Sequence, residues 1–447
     1  MERIRDFTDL DRTTAALEHL GAAAPAKAEL TRRAAVRLQG LGLDAAAPAL
    51  AFFVPGRIEV LGKHTDYAGG SSIVAAAELG FCLVAAPRDD DRLRIAADNG
   101  ETAEFALDPE LVARHGHWSN YPMTVARRLS RNFSSCRRGL DIAFCSDLPP
   151  AAGMSSSSAL MIATYLALAE ANSLGQTPAY RRHIEDDLQL AAYLGTIENG
   201  QNFGDLHGDK GVGTFGGSED HTAILCSQTG SLGQFVYCPA RLERRLPVGG
   251  DRIFAVGFCG VVAEKTGDAQ ELYNRAALRV GALVKAWNAA TGEGQVYLAD
   301  ILRRDPQGDT LRQALKETDA APFAADELER RLDHFLAEDR QILPAAGDAL
   351  LAGDFGRFGE LVDRSQALSH SLLDNQVPET IALAACAREQ GALAASAFGA
   401  GFGGSVWALI DRTEAEAFVD RWRQAYAQDR AGFWLSGAGG AACRIGG

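Results

Sequence analysis

Residues 55–70 carry polar side chains at a spacing that suits ligand binding. The stretch reads PGRIEVLGKHTDYAGG and contributes four such groups, Arg57, Lys63, His64 and Asp66. Side chains of this kind, on a strand and the turn that follows it, converge readily on a small ligand rich in hydroxyl groups. Taken alone, the stretch fits a sugar-like ligand and a polar hairpin without any ligand equally well.

Residues 148–159 have the composition of a loop that binds anions. They read LPPAAGMSSSSA and precede a strongly apolar segment with the pattern of a buried helix. Small residues let backbone N–H groups approach a triphosphate, the helix N-terminus adds roughly half a positive charge, and a serine hydroxyl can bind Mg²⁺. The alternative is a serine-rich helix cap without a ligand.

A third segment, residues 396–405, is dense in glycine and reads SAFGAGFGGS. Such density indicates a backbone that packs closely against a ligand or another part of the chain. The simpler explanation is a tight turn between a helix and a strand.

Two common nucleotide-binding patterns are excluded by their spacing. One residue too many separates Gly56 from Gly62 and Lys63 for a Walker loop, and His64 stands in place of Ser or Thr. The G-x-G-x-x-G match at residues 399–404 precedes a predicted strand, whereas a dinucleotide fingerprint follows a strand and opens a helix. Any bound nucleotide must therefore be held in another way.

The surrounding elements follow from hydrophobic periodicity and from the positions of Gly and Pro. Before the serine loop the patterns predict strands at 50–54, 57–61 and 140–144, with a break at Pro55-Gly56. After it they predict helices at 159–172 and 183–199, a long Gly-rich loop at 200–217, a strand at 253–258, helices at 268–290, 325–352 and 378–390, and a strand at 406–410.

The chain has 447 residues and a formal charge of −14. Its length exceeds the size at which one core keeps growing, so we predict two domains, residues 1–245 and 246–447. No cluster of Lys or Arg is dense enough to neutralise a nucleic-acid backbone, which argues against a nucleic-acid partner. We predict a cytoplasmic protein without a membrane partner, because no signal-peptide pattern and no apolar run of spanning length occurs. Nothing in the sequence predicts the oligomeric state.

The three segments together resemble the three signature motifs of the GHMP kinases, and the first resembles the galactokinase signature in particular. Further matches are the residues Trp118 to Tyr121, the run 213–220, and Tyr273 to Arg275. The resemblance covers nearly the whole chain. It implies an α+β fold of two domains, with ATP and a sugar bound in the cleft between them and Mg²⁺ as cofactor.

The resemblance also implies roles for single residues. Asp220 corresponds to the catalytic carboxylate and Arg57 to the arginine that faces it across the sugar hydroxyl. Substrate binding is implied for Lys63, His64, Asp66, Gly217 and Tyr273, ATP binding for Trp118, Gly153, Ser155, Ser156 and Ser157, and metal binding for Ser157 and Glu198. Because the segment after Glu198 is longer than usual in the family, Asp205 and Asp209 are alternative metal ligands.

Three residues depart from the galactokinase pattern: Lys63 replaces a usual Glu, Glu59 a usual Asn, and His221 a usual Gln. A cation in place of a carboxylate inverts what that corner of the pocket recognises. Lys63 then binds the carboxylate of a uronic acid, or it pairs with Glu59. The implied activity is an ATP-dependent sugar 1-kinase, with galactose as first substrate. The alternatives are a kinase for galacturonate or another galactose-like sugar, and a catalytically silent sensor that binds ATP and sugar.

Overall fold

The computed structural model describes residues 2–149, 152–262, 268–318 and 321–446. Its strands are β1 (Glu2–Arg3), β2 (Pro48–Leu61), β3 (Ser71–Pro87), β4 (Arg92–Ala96), β5 (Thr102–Ala106), β6 (Leu140–Ser146), β7 (Ser231–Val236), β8 (Arg241–Pro247), β9 (Arg252–Phe258), β10 (Ala394–Ala397), β11 (Ser405–Asp411), β12 (Gly432–Ser436), β13 (Ala438–Gly439) and β14 (Cys443–Arg444). Its α-helices are α1 (Leu10–Ala16), α2 (Ala24–Gln39), α3 (Asn120–Asn132), α4 (Ser156–Ala171), α5 (Pro178–Arg181), α6 (Asp187–Asn199), α7 (Glu219–Cys226), α8 (Asp268–Thr291), α9 (Leu298–Arg304), α10 (Asp309–Glu317), α11 (Ala325–Ala337), α12 (Leu343–Ala352), α13 (Phe355–Leu368), α14 (Pro378–Glu389) and α15 (Ala415–Tyr426).

The strands form two mixed or antiparallel sheets, and helices pack on both. One sheet has the order β1-β2-β3-β6-β4-β5, with β7 and β13 attached to β3, β14 attached to β2, and β8 paired with β7. The other sheet has the order β10-β11-β9-β12. The largest apolar core lies between the first sheet and helices such as α3, α4 and α6, and it extends to Trp407 of β11. The α+β fold class is confirmed.

The transition from one sheet to the other occurs close to the predicted domain boundary. β8 of the first sheet ends at Pro247, and β9 of the second begins at Arg252. β13 and β14 then return to the first sheet, where they pair with β3 and β2. The division into residues 1–245 and 246–447 itself stays a prediction.

The predicted break at Pro55-Gly56 was wrong, because β2 runs without interruption through these residues. The pairing of β2 with β3 shifts its register between Pro55 and Arg57, so the missing backbone donor is accommodated in a bulge. A Cβ at Gly56 would lie 2.6 Å from the Met154 carbonyl oxygen. The glycine therefore lets β2 pass directly under the serine loop.

The single helix predicted for residues 325–352 was also wrong. α11 ends at Ala337, a π-helical turn covers Glu338–Ile342, and α12 follows. Pro344 in the first turn of α12 has no N–H for a helical hydrogen bond, so the pattern must change before it. Oε1 of Glu338, in this turn, accepts hydrogen bonds from the Gly62 N–H at 2.9 Å and the Ser365 hydroxyl at 3.0 Å. The turn thus holds the loop after β2.

Within the part of the chain that the structure describes, no helix is both long enough and apolar enough to cross a lipid bilayer.

Candidate active site

A cavity lies where the turn after β2 meets α7, α8 and the glycine-rich turn between β10 and β11. It opens to solvent, and the empty space between its lining atoms, with the open mouth included, amounts to about 490 Å³. Seven of the residues to which the resemblance gives a role line it: Arg57, His64, Asp66, Glu198, Gly217, Asp220 and Tyr273. Residues from both sides of the predicted domain boundary therefore meet in one place.

Arg57 and Asp220 form an ion pair inside this cavity. Nε of Arg57, on β2, donates to Oδ1 of Asp220, in the first turn of α7, at 2.7 Å. Nη1 of Arg57 donates to the carbonyl oxygen of Gly153 at 2.6 Å. Burial of Arg57 opposes its charge, but Asp220, Glu59 and Glu219 outweigh this effect and raise the pKa of the guanidinium. A fixed cation thus contacts a carboxylate inside the cavity.

Glu198 and a serine of the phosphate loop approach the same carboxylate. Oγ of Ser158 donates to Oε2 of Glu198 at 2.9 Å and lies 3.4 Å from Oδ2 of Asp220. Nε2 of His221 lies 3.5 Å from Oε2 of Glu198. Ser157, the serine predicted to bind the metal, sits half-buried one position earlier in α4. Sequence reasoning missed the hydroxyl that contacts Glu198.

The two alternative metal ligands are placed differently. Asp209 is engaged elsewhere, since its Oδ2 accepts from Nε of Arg127 at 2.6 Å. Asp205 is exposed. Neither lines the cavity that holds Glu198.

The serine loop has a strained backbone next to Arg57. Gly153 has φ +72, and Ser155, directly before α4, has φ +57. A non-glycine residue in this left-handed region costs roughly 1–2 kcal/mol, and such strain tends to be retained at functional sites. Oγ of Ser155 is buried and has no hydrogen-bond partner among the described residues. Residues 150 and 151 of this loop lie outside the described residues.

The glycine-rich segment connects two strands, β10 and β11, rather than a helix and a strand. A Cβ at Gly399 would lie 3.0 Å from the Gly153 carbonyl oxygen, and one at Gly401 only 2.2 Å from the carbonyl oxygen of Asn375. The N–H of Gly399 also donates to Oε2 of Glu59 at 3.0 Å. Gly399 therefore packs closely against the other two signature segments, whereas Gly401 packs against Asn375.

The turn after β2 is held by several contacts around Asp66. A Cβ at Gly217 would lie 2.4 Å from Oδ2 of Asp66, and the N–H of Glu219 donates to the same oxygen at 3.2 Å. Burial raises the pKa of the Asp66 carboxyl, although these backbone donors oppose it. The ring of His64 lies 5.3 Å from that of Tyr273, measured between centroids. Four predicted substrate contacts are thus brought together.

Lys63 is placed away from the cavity. Its side chain is buried, and Nζ donates to Oγ of Ser396 at 2.7 Å. The described residues contain no Lys63–Glu59 ion pair within 4.0 Å; Glu59 instead lies 3.9 Å from Nη2 of Arg57. Ser396, rather than Glu59, is therefore the partner of Lys63 among the described residues.

Trp118 lies outside this cavity, just before α3. Its ring packs edge-on against Phe144 of β6 at 5.8 Å between centroids, and its indole Nε1 is buried without a hydrogen-bond partner among the described residues. The ring is half-buried. This geometry is compatible with a surface for a planar ligand and with ordinary packing.

Glu219 was not singled out from the sequence, although it lines the cavity beside Asp220. It is 6% exposed. Burial and the neighbouring Glu59 and Asp66 carboxylates raise the pKa of Glu219 well above its ordinary value. The available signal was an acidic pair, Glu219-Asp220, at the start of a short apolar helix.

Comparison with known protein families gives matches that contain each of the three signature segments. Residues 44–87 match the galactokinase galactose-binding signature, residues 120–208 the GHMP kinases N terminal domain, and residues 348–428 the GHMP kinases C terminal domain. A galactokinase of Streptococcus mutans is 30% identical over 392 residues, which cover 84% of this chain and 89% of that protein. The chain belongs to the galactokinase family of GHMP kinases. A galactokinase of Enterococcus faecalis is 29% identical over 86% of this chain and 90% of its own.

Solved structures agree with this assignment. A Lactococcus lactis galactokinase complexed with galactose superposes with a TM-score of 0.70 and 25% identity, and the match covers 88% of this chain and 95% of that chain. A mevalonate kinase with 14% identity and a TM-score of 0.53 shares the fold alone. This galactokinase family member is therefore an ATP-dependent phosphotransferase that acts on a sugar hydroxyl, as predicted.

Proposed function

We propose that the chain transfers the terminal phosphate of ATP to the anomeric hydroxyl of galactose, giving a sugar 1-phosphate and ADP. The observation that carries the proposal is the Arg57–Asp220 ion pair within a cavity bordered by the galactose-binding signature. Proteins of this family that match nearly the whole chain are named galactokinases, and one was crystallised with galactose.

Asp220 and Arg57 supply the catalytic chemistry in this proposal. Phosphoryl transfer needs positioning and charge stabilisation more than covalent work from the protein. The Asp220 carboxylate accepts or orients the proton of the attacking hydroxyl, while the Arg57 guanidinium stabilises charge on the reacting oxygens. The Asp220 carboxylate and the Gly153 carbonyl oxygen both accept hydrogen bonds from the Arg57 guanidinium and keep it in a fixed position.

His64, Asp66, Gly217 and Tyr273 hold the sugar. They line the same cavity as Asp220, and Asp66 offers a buried carboxylate to sugar hydroxyls. Lys63 is left out of the sugar contacts because its ammonium is directed to Ser396.

ATP is held by the serine loop. The positive φ at Gly153 and Ser155 turns this loop into the start of α4, and the partnerless Oγ of Ser155 suits a phosphate oxygen. Ser156 and Ser157 occupy the first turn of α4, where N–H groups have no helical acceptor. Trp118 contributes an aromatic surface for the adenine ring.

The donor set also fits Mg²⁺, a hard cation that prefers oxygen ligands. Glu198 and Ser157 hold it in our proposal, and the contact of Ser158 with Glu198 orients that carboxylate. The described residues include no cluster of three or more His, Cys, Asp or Glu side chains suited to a metal. Phosphate oxygens and water would therefore supply the other ligands, and the bound ion would neutralise phosphate charge.

The test is an ADP-release assay with Mg-ATP and a panel of galactose, galacturonate, glucuronate, arabinose, N-acetylgalactosamine and mevalonate. We expect turnover of galactose and its loss when Mg²⁺ is chelated. Turnover of a uronate alone would contradict the proposal, and ATP binding without any turnover would favour a sugar sensor. The boundary between residues 245 and 246 and a cytoplasmic location remain predictions of the sequence.

A further inference from the structure

The backbone of His64 has a conformation that residues with a Cβ rarely adopt. Its φ is +58, in the left-handed region. The side chain of His64 lines the cavity that also contains Asp220. A strained residue at such a position persists only where its surroundings hold it in place. The groups that contact His64 therefore show what fixes this part of the proposed sugar site.

The guanidinium of Arg331, on α11, holds this turn. Its Nη2 donates to the carbonyl oxygen of His64 at 2.5 Å and lies 3.4 Å from the hydroxyl oxygen of Tyr67. Its Nη1 lies 3.3 Å from Nδ1 of His334. Arg331 is 0% exposed, and within the described part of the chain no carboxylate oxygen lies within 4.0 Å of its nitrogens. A buried guanidinium without a carboxylate needs other acceptors, and the turn at His64 supplies two of them.

The same contacts determine which nitrogen of neutral His64 carries the proton. Nε2 of His64 lies 3.2 Å from the carbonyl oxygen of Ala400, which can only accept. Nδ1 of His64 lies 3.0 Å from the Tyr67 hydroxyl. Because Arg331 donates to that hydroxyl oxygen, the hydroxyl proton is directed to Nδ1. The neutral imidazole therefore accepts at Nδ1 and carries its proton on Nε2.

We propose that Arg331 is a positioning residue of this kinase, which holds the backbone of His64 and, through Tyr67, the tautomer that presents an N–H donor at Nε2. The inference rests on the proposed role of His64 in sugar binding and deepens it. Such a donor suits an oxygen atom of the sugar, whereas the other tautomer would present an acceptor in the same place.

Arg331 is not a substrate contact in this proposal. It is absent from the described lining of the cavity, so it acts through His64 and Tyr67, which do line it. Arg331 also lies outside the three segments that match family models, residues 44–87, 120–208 and 348–428.

The first experiment replaces Arg331 by Met, an apolar side chain without donors, and measures ADP release with galactose and ATP varied in turn. Arg331 contacts the turn at His64, so KM for galactose should rise about ten-fold or more while KM for ATP stays within about two-fold. An equal rise in both constants, or in neither, overturns the inference.

Arg128→Met is the matched control. Arg128, on α3, is also 0% exposed, and its Nη2 donates to a backbone carbonyl oxygen, that of Gln201, at 2.7 Å. Urea denaturation should show a loss of stability in both variants, whereas KM for galactose should rise only in Arg331→Met. A rise of the same size in Arg128→Met would show that the loss of any buried guanidinium explains the effect, and would overturn the assignment.

The second experiment tests the hydroxyl between Arg331 and His64. Tyr67→Phe keeps the ring and removes the group that donates to Nδ1 of His64, so KM for galactose should rise. In the double variant with Arg331→Met the rise should be smaller than the product of the two single effects, because both variants release the same imidazole.

The outcomes separate this inference from the proposed function. A multiplicative effect in the double variant overturns the action of Arg331 through Tyr67. If Arg331→Met does not fold, Tyr67→Phe decides alone, and an unchanged KM for galactose overturns the inference while the proposed function stands. Absence of galactose turnover in the wild type overturns both.

Discussion

Nε of Arg57 lies 2.7 Å from Oδ1 of Asp220, although 163 residues separate them in the chain. Arg57 comes from a central strand of the first sheet, and Asp220 from the first turn of a short helix. The same guanidinium contacts the serine loop through the Gly153 carbonyl oxygen. The buried side chain of Arg57 therefore joins the proposed sugar site to the proposed phosphate site, and it fixes the distance between Asp220 and the serine loop.

Replacing Asp220 by Asn should abolish most turnover without weakening ATP binding. The amide keeps the shape of the carboxylate but cannot accept a proton, so kcat should fall on the order of 10²–10⁴-fold. ADP release measures kcat, and calorimetric titration measures ATP affinity. Asp205→Asn, at an exposed loop position, is the matched control and should behave as the wild type. Near-normal turnover in Asp220→Asn would refute the assigned role.

Replacing Gly217 by Ala should impair sugar binding more than ATP binding. The added Cβ would lie 2.4 Å from Oδ2 of Asp66 and 2.9 Å from the Tyr67 nitrogen, so the turn after β2 must shift. A displacement of this size at a positioning residue costs about 10²-fold in kcat/KM for the sugar. The check is steady-state kinetics with each substrate varied in turn. Gly281→Ala, where no atom lies within 4 Å of the new Cβ, should have no such effect, and equal effects of both variants would contradict the explanation.

Lys63→Met should lower stability and leave sugar preference unchanged. The variant removes the buried hydrogen bond that the Lys63 ammonium donates to Oγ of Ser396. Its loss should reduce the free energy of unfolding by about 1–3 kcal/mol. Urea denaturation measures this change, and the substrate panel measures preference. Lys285→Met, on an exposed face of α8, serves as control. A changed preference between neutral and acidic sugars would show that Lys63 reaches the substrate after all.

His334 should contribute to acid sensitivity. Burial, and then the charges of Arg331, His64 and Lys63, lower its pKa well below 6.5. Below about pH 6.5 the unfolded chain therefore binds a proton that the folded chain does not. The free energy of unfolding consequently decreases as the pH is lowered, by up to about 1.4 kcal/mol per pH unit.

His334→Gln removes this titration, and we expect its unfolding free energy to fall less steeply between pH 6.5 and 5 than that of the wild type. Urea unfolding at several pH values gives the slope. The exposed His115→Gln should keep the wild-type slope. Identical slopes for His334→Gln and the wild type would rule out the assigned contribution.

The signature segments could be predicted from the sequence because their residue types are set by local chemistry. Their shared cleft was predicted only because the three segments together resemble the motifs of one kinase family. It could not predict the direction of the Lys63 side chain. That direction depends on a buried acceptor, Ser396, which lies 333 residues away. The pairing of Lys63 with Glu59 is expected from their closeness in the sequence, whereas packing placed Ser396 beside the ammonium group.

The run of four serines illustrates a second limit. The four residues are all serines, so residue type does not distinguish them. Successive side chains at the start of α4 point about 100° apart around the helix axis, and this direction decides which hydroxyl faces Glu198. The structure gives this position to Ser158. Glu219 escaped notice for a similar reason, since an acidic residue at the start of a helix is ordinary until its burial is known.

β14 pairs Cys443 with Phe53, and β13 pairs Ala438 with Ala77, so these late segments complete a sheet whose long strands are translated several hundred residues earlier. While it is still on the ribosome, the nascent chain presents β2 and β3 without these neighbours, and such exposed strand edges invite aggregation. For the same reason, a protease cut between the two sheets should leave the fragments associated, so that a nicked enzyme separates only under denaturing conditions.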